Sequence, residues 1–83
     1  MANEKWKGAW VARVDIMGGG CWYRSHEGKD KALRGLRRQL KQDWSRLFDI
    51  DAALKAGVKV GLYKDGGTES FEDDEFVEVA VLH

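Results

Sequence analysis

The densest group of chemically active side chains is a run of four consecutive carboxylates, Glu72-Asp73-Asp74-Glu75, here called the acidic stretch. Residues 1–64 hold all fourteen Lys and Arg with seven Asp and Glu, and residues 65–83 hold the other seven acids and no base. The formal charges of these two segments are therefore +7 and −7. Because like charges repel, the acidic segment stays extended unless an oppositely charged group meets it, either in the same chain or on another molecule.

Two interpretations of the acidic stretch remain open. In the first, it is a solvated hairpin loop. In the second, its carboxylates mimic the phosphates of a nucleic acid and occupy a basic groove on a nucleic-acid-handling protein, where complementary potential gives speed and specificity of association. We expect this stretch to be the charged part of a protein-binding site.

Basic side chains are concentrated on a predicted long helix, on the side away from its leucines. This basic ridge contains Lys31, Arg34, Arg38 and Lys41. It has three interpretations: a solvated helix face, a surface that binds nucleic-acid phosphates, or the internal counterpart of the acidic stretch.

Aromatic residues follow a glycine-rich turn, where Trp22 and Tyr23 precede Arg24. Aromatic rings beside a base stack on unpaired nucleobases, and Trp is enriched among the residues that dominate protein interfaces. We therefore predict Trp22 and Tyr23 as partner-binding aromatics, with Trp6 as a further exposed anchor. Trp44 continues the helical leucine spacing, which predicts a core position.

Catalytic and metal-binding chemistry is poorly supported by the sequence. Cys21 and His26 are five residues apart with no acid to orient the histidine, and they provide too few ligands for a structural zinc. Residues 65–69 do not have the spacing of a calcium loop, and Gly18-Gly19-Gly20 lacks the Gly-Lys-Ser/Thr ending of a phosphate loop. We predict a protein that is not an enzyme and has no catalytic residue, metal or cofactor.

Hydrophobic periodicity predicts the elements that position these residues. Leu33, Leu36, Leu40, Trp44 and Leu47 form one helical stripe. The predicted elements are strands at 6–17 and 21–25, a long helix at 28–48, a short helix at 50–56 capped by an Asp and ended by Gly57, and strands at 58–64 and 76–82.

This order, β-β-α-(α)-β-β, predicts a single α+β domain over residues 1–83. Its four-stranded, mainly antiparallel sheet would carry one long and one short helix packed on one face. The other face would be uncovered and would expose some of six residues: Val11, Met17, Tyr63, Phe76, Ala80 and Leu82. The lone Cys21 and the lack of a long apolar run predict a cytoplasmic protein with no membrane contact.

In its layout the chain resembles accessory proteins of phages and mobile elements, since it is small, free of proline, rich in Trp on its strands and sharply segregated in charge. That group includes inhibitors of CRISPR surveillance complexes, of restriction enzymes and of host RNA polymerase. The resemblance implies an inhibitor that docks stoichiometrically on a nucleic-acid-processing complex in the cytoplasm of a bacterial host. Two alternatives remain: a nucleic-acid-binding regulator using the basic helix 29–46, and a self-associating structural or adaptor domain that forms a homodimer.

Overall fold

The computed structural model describes residues 4–16, 19–44 and 49–83. The described elements confirm the α+β class and the predicted element order. They are β1 (Trp10–Ile16), β2 (Gly19–Ser25), α1 (Lys29–Asp43), α2 (Ile50–Ala56), β3 (Val58–Lys64) and β4 (Glu75–Leu82), with short 3-10 turns at Glu4–Trp6 and Phe71–Asp73.

The strands form one antiparallel sheet in the order β2-β1-β3-β4. Val14 lies opposite Cys21, Ala12 lies opposite Leu62, and Val60 lies opposite Ala80. Both central strands are thus hydrogen-bonded on two sides, and β2 and β4 are the edges.

The hydrophobic core lies between one face of the sheet, here called the helix face, and the two helices. Ala12, Leu36, Leu40 and Leu62 are at most 1% exposed in this cluster. Burying each leucine contributes about 1.5–3 kcal/mol, so this layer accounts for much of the stability. Leu33 and Trp44 pack against the cluster as partly buried residues, as the stripe predicted. Leu47 and Phe48, at the predicted end of the long helix, lie outside the described residues.

The short helix has the predicted bounds because both its ends are encoded locally. The Asp49 carboxylate accepts a hydrogen bond from the backbone N–H of Ala52, which satisfies one of the free donors of the first turn. Gly57 follows the last turn at φ 101°, a conformation that residues with a side chain rarely adopt, and the backbone then enters β3 at Val58.

The first strand is shorter than predicted. The alternating pattern suggested a strand from Trp6, but Glu4–Trp6 forms a 3-10 turn and the strand begins at Trp10. The backbone N–H of Lys7 bonds to the carbonyl of Glu4, and that of Ala9 bonds to Trp6, so the chain turns here and does not extend. Met17 lies outside the described residues, and Gly19 and Gly20 of the predicted turn belong to β2.

The faces of β4 after Val77 are the reverse of the prediction, whereas Phe76 lies on the face away from the helices, as predicted. Ala80 and Leu82 pack on the helix face, and Val79 and Val81 are exposed on the other face. A register shift between Leu62 and Tyr63 inserts one extra residue into β4, so Leu62 pairs with Glu78 while Tyr63 pairs with Phe76. A bulge of this kind changes which residues share a face, and alternation alone does not reveal it.

Tyr23 determines how closely α1 approaches the sheet. Its ring lies directly against Gly35 of α1, where an added Cβ would stand 2.2 Å from a ring carbon. Gly35 is buried, so its lack of a side chain permits the contact. This close approach explains a glycine in the middle of a helix, where glycine costs about 1 kcal/mol relative to alanine.

We expect Gly35→Ala to lower the free energy of unfolding by about 1–2 kcal/mol despite the better helix propensity of alanine, because the ring must move out of a packed position. In a Tyr23→Ala background the same change should raise stability by about 1 kcal/mol, since only the propensity gain remains. Urea unfolding of the four proteins in this double-mutant cycle measures both values. Stabilisation by Gly35→Ala in the wild-type background would contradict the packing role of Tyr23.

Candidate interaction surface

The connection between β3 and β4, residues 65–74, folds back over the sheet face opposite the helices, here called the open face. Val11, Arg13, Trp22 and Tyr63 lie on this face. Val11 is fully buried although no helix covers it, so this face is covered in part by side chains and by the connection. The acidic stretch therefore follows a segment packed on the sheet, and it does not extend freely into solvent.

An ion pair anchors the start of this connection. The Arg24 side chain donates from Nε to Asp65 Oδ2 at 2.7 Å, and the Asp65 side chain is completely buried. Asp65 Oδ1 accepts a hydrogen bond from the backbone N–H of Gly67 at 2.7 Å. The backbone of Asp65 also exchanges hydrogen bonds with Gly8 and Ala9. These contacts tie the connection to the start of β1 and to β2.

Short-range hydrogen bonds order the rest of the connection. The Thr68 hydroxyl donates to Asp73 Oδ2 at 2.6 Å, and the Ser70 hydroxyl accepts from the backbone N–H of Glu72 at 3.2 Å. Asp74 Oδ1 accepts from the backbone N–H of Gly66 at 2.9 Å. Two of the four carboxylates, those of Asp73 and Asp74, therefore hold the loop in shape, and Glu72 and Glu75 have no hydrogen bond from their side chains to a described residue.

Phe71 joins this connection to a continuous row of rings across the open face. The row, here called the aromatic row, consists of the rings of Trp22, Phe71, Tyr63 and Phe76, with the guanidinium group of Arg13 in its middle. The Phe71 ring meets Trp22 edge-on at 4.9 Å between centroids, and Tyr63 meets Phe76 at 5.4 Å. The Arg13 guanidinium lies between them, 4.9 Å from the Phe71 ring and 4.3 Å from the Tyr63 ring.

The aromatic row is fixed at its centre and exposed at its ends. Arg13 Nη2 donates to the Tyr63 hydroxyl at 3.0 Å, and both residues are partly buried. Trp22 is 39% exposed and Phe76 is 54% exposed. In the sequence the acidic stretch lies between Phe71 and Phe76, so it connects two members of the row. The surface combines rigid rings with negative charge.

The acidic stretch is not neutralised by the long helix. None of its four carboxylates forms an ion pair with any residue in ranges 4–16, 19–44 and 49–83. Two other acids of the C-terminal segment form ion pairs. Asp65 pairs with Arg24, and Glu78 accepts a hydrogen bond from Lys29 of α1 at 2.8 Å. This hydrogen bond and the charge of Glu78 raise the pKa of Lys29.

Trp22 and Tyr23, predicted together, lie on opposite faces of the sheet. Trp22 belongs to the aromatic row, and Tyr23 packs against α1 and the core. Successive residues of a strand point to opposite sides, so the two rings lie on different faces of the sheet although both residues line one groove. The structure thus brings the acidic stretch together with Trp22 and leaves Tyr23 on the helix face.

Trp6 and Trp22 line a groove of about 360 Å³ together with Tyr23 and Arg24. Trp6 stacks on His26 with 5.3 Å between ring centroids, and His26 Nε2 donates to the carbonyl oxygen of Lys5 at 2.6 Å. The groove lies next to the Trp22 end of the aromatic row. It extends the apolar part of the candidate surface towards the N-terminal turn.

The basic ridge is exposed and only partly paired. Lys31 lies 3.6 Å from a Glu27 oxygen and Lys41 lies 3.3 Å from an Asp51 oxygen, in exposed pairs of small energetic value. Arg34 and Arg38 are exposed and form no ion pair with a described residue. The ridge lies on α1, on the other side of the sheet from Phe71.

The structure does not bring the candidate catalytic pair together. Cys21 is buried on the helix face, and this burial raises the pKa of its thiol, although a hydrogen bond with Trp44 acts in the opposite direction. His26 is exposed and stacked on Trp6. Within the described ranges, no three His, Cys, Asp or Glu side chains are grouped so that they could hold a metal ion.

Three residues of the surface were not singled out from the sequence: Arg13, Phe71 and Asp65. The sequence did carry a signal for Arg13, because a charged residue that shares a strand face with Val11 shows that this face is not purely apolar. Phe71 within an acidic segment was a second signal, since a lone aromatic ring there requires an apolar contact. Nothing local indicated that Asp65 would be buried.

Comparisons with protein-family models, with curated proteins and with solved structures gave no match. No helix in the described part of the chain has the length and apolar character needed to cross a membrane. The fold and the surface define a small α+β domain whose open face carries a row of rings, with an acidic stretch that forms no ion pair with a described residue.

Proposed function

We propose that this domain is a non-enzymatic binding protein that docks through its open face onto a basic, nucleic-acid-contacting surface of a nucleic-acid-processing complex and inhibits that complex by occupying the surface. The observation that carries the proposal is the position of the acidic stretch. It connects Phe71 and Phe76 of the exposed aromatic row, and its four carboxylates form no ion pair with the described bases of their own chain.

The connection has a defined conformation, and this supports tight binding. A flexible acidic tail would lose conformational entropy on docking, which reduces affinity. Here Thr68 and Ser70 bond within the loop, and Phe71 fixes it to the sheet. The carboxylates are therefore presented in a defined arrangement before the partner arrives.

The aromatic row supports a protein partner. Interface hot spots combine a desolvated aromatic anchor with a polar rim, and Trp is prominent among them. Trp22 and the adjoining groove provide such an anchor, and Glu72 and Glu75 provide a charged rim. A basic groove that normally holds nucleic acid matches both features, because it offers Lys and Arg for the carboxylates and apolar stems for the rings.

The test is competition. The immobilised domain is exposed to a bacterial extract, and retained proteins are recovered with and without added duplex DNA or RNA. We expect the retained proteins to be nucleic-acid-binding proteins that the polynucleotide releases. Purified CRISPR surveillance complex, restriction enzyme and RNA polymerase are then titrated with the domain, and inhibition of the true target should be complete at equimolar addition. Retention that polynucleotide does not affect would contradict the proposal.

A second candidate function is nucleic-acid binding by α1, which the exposed and unpaired Arg34 and Arg38 favour. This function predicts a mobility shift of mixed DNA and RNA at low salt, with a log affinity that falls steeply with log salt. Arg34→Gln with Arg38→Gln would lower the salt slope by about 2 for duplex DNA. On the leading proposal we expect no shift at micromolar protein, and a shift that these substitutions remove would favour the second candidate.

A further inference from the structure

The edge strand β4 has an exposed apolar side. Among the described residues, five large hydrophobic side chains are exposed, and four of them belong to this strand: Phe76, Val77, Val79 and Val81, at 54%, 44%, 60% and 51%. Natural edge strands are usually protected by charges, prolines or bulges, because their free N–H and C=O groups pair readily with another strand.

The protections on β4 are weak where the strand is regular. The bulge lies near its start, at the pairing of Leu62 and Tyr63. Glu78 is the charged residue of β4 after the bulge. Its carboxylate forms an ion pair with Lys29 of α1 on the helix face, so it does not protect the edge. The segment from Glu78 to Leu82 therefore presents a regular edge with valines on its open face.

We infer that β4 pairs with β4 of a second copy of this chain, antiparallel and about a twofold axis at Val79. In this register Val79 faces its own copy, and Val81 lies opposite Val77, the extra residue of the bulge, so the regular valine contact is centred on Val79. Such cross-strand β-branched pairs are a main source of sheet stability. A twofold contact is closed, so it produces a dimer and not a fibre.

Charge complementarity identifies a second copy as the occupant. The start of β4 is acidic, with Glu75 exposed and the rest of the acidic stretch just before it. The end of β4 is basic, because Lys59 pairs with Val81 and the Arg37 side chain donates from Nε to the carbonyl oxygen of His83 at 2.8 Å. Antiparallel pairing about Val79 brings Glu75 of each copy to the basic end of the other, while Glu72 precedes β4 and lies outside the paired segment.

This dimer does not depend on the proposed function. The pairing edge is β4, while Phe71 contacts Trp22 of β2 and Arg13 of β1. Phe76 is the one member of the aromatic row on β4, and Trp22 and Phe71 lie away from the pairing edge. A Val79 variant that loses the dimer keeps Trp22 and Glu72 of the proposed docking surface, so loss of the dimer and loss of inhibition are separate results.

Light scattering over a range of concentrations and two salt levels measures the dimer, together with Val79→Lys and the control Gln42→Lys. Val79→Lys places two ammonium groups at the twofold axis, so we expect its dimer Kd to rise at least about tenfold. Gln42→Lys adds the same charge on exposed α1 and should leave the Kd unchanged. A wild-type protein that is monomeric at every concentration would overturn the inference.

Disulfide trapping tests the register and does not require Val79→Lys to fold. Val79→Cys should form a disulfide-linked dimer under mild oxidation, since residues facing each other across antiparallel strands have Cβ atoms about 4.5–5.5 Å apart. Lys59→Cys lies one strand further in on each copy and should stay monomeric. Cys21 is 3% exposed and does not compete. Equal cross-linking of the two variants would rule out pairing at Val79.

Discussion

Asp65→Ala is expected to lower the free energy of unfolding by about 3 kcal/mol, which corresponds to a fall in Tm of roughly 12–24 °C for a domain of this size. The Asp65 side chain is fully buried and its Arg24 partner is 20% exposed. Removing the carboxylate leaves a partly buried guanidinium without its counter-charge and the Gly67 N–H without its acceptor. The partial exposure of Arg24 places the cost at the lower end of the range for broken buried pairs.

Two further variants separate the charge from the hydrogen bond. Asp65→Asn keeps an oxygen for the Gly67 N–H and should cost less than Asp65→Ala. Arg24→Met combined with Asp65→Ala removes both charges, so it should recover part of the loss. Thermal and urea unfolding measure all three. A cost below about 1 kcal/mol for Asp65→Ala would show that water solvates Arg24 freely and that the ion pair does not anchor the connection.

The same ion pair links stability to the proposed binding. Asp65 begins the connection that carries the acidic stretch, and the adjoining Gly66 N–H bonds to Asp74. If the anchor is lost, the carboxylates lose their defined arrangement, and docking then carries an additional entropic cost. We therefore expect Asp65→Ala to weaken partner binding at temperatures where the domain is still folded.

Glu72→Gln with Glu75→Gln is expected to weaken partner binding about 10–100-fold, equivalent to about 1.4–2.7 kcal/mol. Both residues are exposed, and neither carboxylate bonds to a described residue of the chain. The substitution therefore removes charge and leaves the loop intact, unlike a change at Asp73 or Asp74, which accept hydrogen bonds from Thr68 and Gly66. Most of the loss should disappear at high salt, since screening weakens the same interaction in the wild type.

The matched control is Glu27→Gln with Asp51→Asn, which changes the net charge equally and lies beside α1. These carboxylates form exposed ion pairs with Lys31 and Lys41, so their loss should affect stability little. Titration of the captured partner with each variant at two salt concentrations measures the affinities. An equal loss in both variants would show that overall charge and not the acidic stretch controls binding, and no loss in either would remove the mimicry hypothesis.

Much of the fold was predictable because its signals are local. The cap at Asp49, the glycine after Ala56 and the alternation from Val58 to Lys64 depend on neighbours within a few residues, and the bounds of α2 and β3 agree with the prediction. The leucine stripe likewise identified the buried side of α1. The two-layer arrangement then follows, because one sheet face must be covered by the apolar sides of the helices.

The candidate site was only partly predictable. The charge asymmetry and the choice of Trp22 came from the sequence alone. The separation of Trp22 from Tyr23 was also available there, since strand alternation places adjacent residues on opposite faces. The role of Phe71 was not, because its contacts with Trp22 and Arg13 come from strands that precede it by about fifty residues.

Composition and short-range periodicity determined by themselves the class of the domain, its element order, its leucine-lined helix and its segregated charge. Only the tertiary structure decided that one bulge turns the valines of β4 outward, that Asp65 is buried against Arg24, and that the acidic stretch lies away from the basic helix. The physical reason is range: caps and amphipathic patterns are stabilised by residues a few positions apart, whereas strand register, buried ion pairs and the packing of a connection depend on residues that meet only after the chain has folded.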